Sequence, residues 1–171
     1  MTFRCLILIT ALGTSHLGFS QNLLLFDGET VDVPNCQYHY GAQETQQVHT
    51  GSYAFQGTPD PWHSPGISMK CQGAWRKNIS TYNTLEFYIK ASALGHSASV
   101  SFYGWPNSSK GVDILPYIEG GSLSTEYKKV SIPLDSLKTA TYELESIEIL
   151  YFGKAVNGSG YNIYVDDVWA V

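Results

Sequence analysis

Thr84-Leu85-Glu86-Phe87-Tyr88-Ile89-Lys90-Ala91 sets Leu85, Phe87 and Ile89 against Glu86, Tyr88 and Lys90 in strict alternation. A period of two is the repeat of a β-strand with one face buried, because successive side chains leave a strand on opposite sides. Working outward, the same texture recurs at Asn22–Phe26, Val48–Gln56, Gly66–Lys70, Ala98–Trp105, Val112–Ile118, Tyr127–Leu134, Ser146–Phe152 and Ile163–Ala170, each bounded by Gly, Pro, Asn or Ser. No stretch holds a sustained 3.6-residue apolar repeat, and only Pro133–Leu137 reads as a helical turn. About nine short strands with this turn chemistry predict an all-β sandwich or barrel.

The 171 residues fit one domain and suffice for a real core. Fifteen acidic against ten basic side chains, with no basic cluster, exclude a nucleic-acid binder, which needs Lys and Arg to displace counterions from phosphates. An apolar fraction of 43% excludes disorder. Residues 1–20 read as a signal peptide: Arg4, then Leu6-Ile7-Leu8-Ile9, then Gly18 and Ser20 at the −3 and −1 positions of a cleavage site. The apolar run is too short to span a bilayer, so residues 21–171 form the expected mature domain, secreted and extracellular or associated with a cell wall. Cys36 and Cys71 remain in that domain, an even pair read as one disulfide in an oxidising compartment, with two free thiols as the alternative. Sequons at Asn78, Asn107 and Asn157 point to a glycoprotein.

The order of segments resembles the jelly-roll carbohydrate-binding modules of the galactose-binding-like superfamily, of the calcium-containing type found attached to cellulases and xylanases. The likeness is carried by Leu25-Phe26-Asp27-Gly28-Glu29, Gly51-Ser52-Tyr53-Ala54-Phe55, Thr84–Lys90, Tyr127-Lys128-Lys129-Val130-Ser131-Ile132-Pro133-Leu134 and Tyr164-Val165-Asp166-Asp167-Val168. It spans nearly the whole mature chain and implies a jelly-roll β-sandwich of two antiparallel sheets, with Tyr127 where the family usually has Trp.

Asp166 and Asp167 are adjacent in an apolar strand, so one carboxylate faces the core unless the strand bulges or lies at a rim. A buried carboxylate needs N–H donors, a cation or a metal. The resemblance implies one structural calcium, held by Asp27 or Glu29, an oxygen near Gly51, and Asp166; the alternative is that Asp166 accepts hydrogen bonds from backbone N–H groups or pairs with Lys or Arg.

A sugar site needs flat rings against the C–H face of a pyranose, with polar groups for its hydroxyls. Parity puts Tyr88, Tyr103 and Trp105 on one side of their strands, and Tyr117, Tyr151 and Asp113 extend the surface if their strands are neighbours. The alternative is that these rings are core. Trp62, in the proline-stiffened loop Gly57–Pro65, is a second platform candidate, and Trp169 is expected in the core or at an edge. Glu143, Glu145 and Glu148 lie in a polar stretch, and no nucleophile elbow, zinc-binding His motif or phosphate loop occurs. The sequence therefore predicts a non-catalytic binder of polysaccharide or glycan, against the alternative of a structural protein of a wall, cyst or coat that keeps the fold without the sugar site.

Overall fold

The computed structural model describes residues 22–29, 38–60, 62–69, 76–153 and 160–171. The described residues form twelve strands: β1 (Leu23–Phe26), β2 (Tyr38–His39), β3 (Gly41–Glu44), β4 (Ala54–Gly57), β5 (Gly66–Ser68), β6 (Thr84–Ala91), β7 (Ser99–Gly104), β8 (Asn107–Ser108), β9 (Val112–Asp113), β10 (Lys128–Pro133), β11 (Ile149–Gly153) and β12 (Ile163–Ala170). They form two antiparallel sheets of six strands. Sheet 1 runs β10-β6-β12-β4-β3, with β1 also on β12; sheet 2 runs β2-β5-β11-β7-β8, with β9 also on β7.

From β4 onward the chain crosses repeatedly between the sheets: β4, β6, β10 and β12 lie in sheet 1, and β5, β11 and the consecutive β7, β8 and β9 in sheet 2. Each crossing carries the chain over the end of the sandwich, the jelly-roll arrangement. The alternation read at Thr84–Ala91 becomes a strictly half-buried and buried succession in β6. Leu85, Phe87 and Ile89 of β6, with Val165 and Val168 of β12, meet Val100 and Phe102 of β7 and Leu150 and Phe152 of β11 in one core. Phe152 touches Phe55 at 5.9 Å and Phe87 at 5.7 Å between ring centroids, joining the two sheets directly. Each such buried side chain contributes about 1.5–3 kcal/mol.

Three expectations differ. Of Val48–Gln56 only the end is strand, because residues 48–53 cross the outside of sheet 1. Val112–Ile118 is strand only at Val112–Asp113, turns into a 3-10 segment, Leu115–Tyr117, with Pro near its start, and makes a single bridge from Ile118 to Val130. Strands β2, β3 and β8 are too short to show a period. The cysteines Cys36 and Cys71 and the sequon residue Asn157 lie outside the described residues. Among those described, no helix is long and apolar enough to cross a membrane.

Candidate functional site

The jelly-roll crossing decides which aromatic residues can share a surface. Tyr88 lies on β6 of sheet 1 and Tyr103 on β7 of sheet 2, and both alternate with core residues. They therefore face opposite sides of the sandwich, which corrects the single face read from parity. Parity fixes the side of a strand that is wet; it carries no information about which sheet the strand joins.

On the outside of sheet 2, ladder register aligns Ser101, Tyr151, Gly66 and His39 across four strands. The next outward row holds Tyr103, Ile149 and Ser68. Gly66 has no side chain, and the rings of Tyr151 and His39 close over it edge to face at 5.8 Å. A Cβ there would lie 2.7 Å from the Tyr151 ring. Tyr40 follows at the β2–β3 turn, 66% exposed, with its ring 4.5 Å from that of His63. Trp105 stands 68% exposed just beyond β7. Adjacent strands lie about 4.8 Å apart, so β2 to β7 spans about 14 Å.

This surface is electrically quiet. Burial lowers the His39 pKa, so its imidazole is neutral at pH 7. Burial, then the neighbouring phenols of Tyr103 and Tyr40, raise the Tyr151 pKa, so its hydroxyl stays protonated. Rings and hydroxyls dominate these rows, with the exposed Asp113 carboxylate opposite Ser99 at one edge and Asp60 beside His63 at the other.

Trp62 is 88% exposed in its loop. Asp60 organises the loop by accepting the N–H groups of Trp62 and His63, both at 2.6 Å, and by pairing with the His63 ring at 3.0 Å. The His63 ring, then the Trp62 N–H, lower the Asp60 pKa. His39 and Tyr40 carry no binding signal in the sequence, because β2 has only two residues and shows no period, whereas His63 stands beside Trp62 in the Gly57–Pro65 loop.

Tyr88 is no open platform. His49 stacks on it at 3.8 Å and 16°, and Tyr127 donates its hydroxyl hydrogen to the Gln47 carbonyl at 2.6 Å. This loop over sheet 1 is anchored by the two aspartates. Strand β12 bulges between Asp166 and Trp169 against β6, with Asp167 at φ +50°. The bulge restores inward parity for Val168 and keeps both carboxylates off the core side. On the opposite edge, β12 pairs with β4 up to Val165 and with β1 from Val168, leaving the aspartates in the gap.

Asp166 is fully buried beneath the loop. Its Oδ2 accepts the N–H groups of His49 at 3.0 Å and Thr50 at 3.2 Å, and its Oδ1 that of Asp167 at 2.9 Å. Desolvation outweighs these bonds and pushes its pKa up to about 6. Asp167 meets His49 Nδ1 at 2.7 Å and accepts the Thr50 hydroxyl at 2.9 Å. Glu29 accepts the N–H groups of Ser52 and Tyr53, and its carboxylate fills the space beside Gly51, where φ is +65° and a Cβ would meet it at 2.2 Å. Asp27 accepts the Glu29 N–H at 2.9 Å.

Glu29 and Asp166 thus both anchor the 49–53 loop, yet through N–H donors. Among the described residues no three His, Cys, Asp or Glu side chains gather into a metal-holding set. Both oxygens of Asp166 and Oε1 of Glu29 accept N–H groups, the alternative to calcium that a buried carboxylate offers.

Of the remaining candidates, Asn78 is exposed and caps Ser80, while Asn107 is half-buried in β8. Glu143 and Glu145 are exposed before β11, and Glu148 pairs with Arg76 at 2.6 Å. Trp169 is half-exposed on the outside of sheet 1, where the bulge puts it.

A family model described as carbohydrate binding domain 30 matches residues 15–171. The chain belongs to this family. A crystal structure of a family 30 carbohydrate-binding module resembles this domain at 12% identity and a TM-score of 0.60, over 88% of this chain and 87% of that one. The family 30 module of the cellulosomal cellulase Cel9D-Cel44B of Clostridium thermocellum does so at 13% identity and 0.56, over 88% and 97%. A mutant family 29 module complexed with cellulohexaose follows at 9% and 0.52, over 88% and 89%. At these identities the likeness carries the fold of the family 30 domain and nothing finer. No curated protein matches the chain.

Proposed function

We propose that this family 30 domain is a secreted, non-catalytic binder of a neutral polysaccharide, held across the outside of sheet 2. The observation that carries the reading is the aromatic surface formed by His39, Tyr40, Tyr151 and Tyr103, with Gly66 opening the floor between two rings and exposed Trp105 two residues beyond Tyr103. Rings stack on the C–H faces of pyranoses, and Ser101 with the phenols supplies hydrogen bonds. A floor of about 14 Å takes an oligosaccharide of a few units rather than a single sugar. Cellulohexaose, the ligand named for the family 29 relative, is the first compound to try. Export through residues 1–20, a Cys36–Cys71 disulfide and glycosylation at Asn78, Asn107 and Asn157 belong to the same proposal and are supported by the sequence.

Retention on cellulose, xylan and mixed-linkage β-glucan tests the reading. The wild-type domain is expected to be retained on at least one, and Tyr103→Ala with Tyr151→Ala to reduce that retention at least tenfold. Retention on none would favour a structural wall, cyst or coat protein, and release of reducing ends would expose an enzyme.

A further inference from the structure

The outside of sheet 1 carries a second trough that the first site leaves unused. Two clefts, of about 500 and 250 Å³, share Tyr88 and Lys129 and run into one another across β10, β6 and β12. Tyr117 and Glu119, from the 3-10 stretch after β9, line the first; Trp169 and Glu86 line the second. Ladder register places Lys129 beside Tyr88 and Trp169 beside Glu86, so the rings and the polar groups lie in adjacent rows. The combined volume suits a small ligand.

The chemistry narrows that ligand. Lys129 pairs with Glu86 at 2.8 Å, and Ser131 donates its hydroxyl to the same carboxylate at 3.3 Å, so this part of the floor offers donors and acceptors whose charges cancel. Exposed Glu119 and the Asp167 carboxylate disfavour an anion. Two half-exposed rings, Tyr117 and Trp169, stand at separate points along the trough. A neutral, hydroxyl-rich oligosaccharide meets all three conditions.

We propose that the trough of Tyr117, Glu119, Lys129, Glu86 and Trp169 is a second carbohydrate site, and that the domain bridges two polysaccharide chains from opposite sides of the sandwich. The proposal rests on the carbohydrate reading above and extends it to a face that reading does not use. Two sites facing apart cannot both grip one short oligosaccharide, so they add crosslinking rather than affinity for a single chain.

Titration calorimetry with cellulohexaose and turbidity with soluble β-glucan test it together. The wild type is expected to bind two hexaoses and to precipitate the polymer. Trp169→Ala, and independently Lys129→Met should the first fail to fold, are expected to leave one site and abolish precipitation. Tyr103→Ala with Tyr151→Ala is expected to leave the other site alone. One site in the wild type, removed by the Tyr103 and Tyr151 changes, overturns the second site and leaves the first standing. One site removed by Trp169→Ala alone overturns the sheet 2 assignment instead, and with it the bridging. No hexaose binding with no precipitation overturns both.

Discussion

The rings of His39 and Tyr151 meet at 5.8 Å across Gly66, two strands apart with nothing but a glycine between them. An alanine Cβ at Gly66 would lie 2.7 Å from the Tyr151 ring and 2.9 Å from the Leu150 carbonyl. Gly66→Ala should therefore turn the Tyr151 ring away and cost about 1–3 kcal/mol of stability through overpacking. Calorimetry on the folded fraction should find affinity for cellulohexaose reduced about tenfold. Unchanged affinity would remove Tyr151 from the site.

Trp105 and Trp62 are exposed, so truncating either should change stability by no more than about 0.5 kcal/mol. Trp105→Ala should nonetheless weaken retention on the preferred polysaccharide, since Trp105 stands two residues beyond Tyr103 at the end of β7. Equal melting temperatures with equal retention would take Trp105 out of the site.

Asp166 titrates near pH 6 in the folded domain, above the ordinary value of 3.8. Between those values the folded state holds a proton that the unfolded chain releases. The contribution of this group is therefore full below about pH 4 and lost as pH rises through 6. Thermal melts from pH 4 to 7 should show a falling difference between wild type and Asp166→Asn as pH rises. A difference that is flat, or that rises, would mean that the N–H bonds from His49, Thr50 and Asp167 outweigh burial.

Because those same N–H groups occupy the Asp166 oxygens, chelation by EDTA should leave the melting temperature within about 1 °C of that in calcium; a domain of this size shifts roughly 2–4 °C per kcal/mol. A loss of several degrees, absent in Asp166→Asn, would restore calcium at this place.

Much of the fold was legible. Strands β6 and β12 agree with Thr84–Ala91 and Ile163–Ala170 residue for residue, because long half-buried strands write their period plainly. The candidate site was legible only in part. Tyr103 and Tyr88 show the same parity, yet the crossing between β6 and β7 sends them to opposite faces, and no local pattern records a crossing. The Asp166–Asp167 pair announced a conflict of parity, and the bulge that resolves it depends on a loop more than a hundred residues earlier. His39 lies in a two-residue strand and Tyr40 in the turn after it, where no period can show.

The most direct test is to follow backbone amide resonances of the labelled domain during titration with cellulohexaose. The account predicts the largest shifts at Gly66, Ser101, Tyr103, Tyr151 and His39. Saturable binding that leaves these five amides unmoved would contradict it.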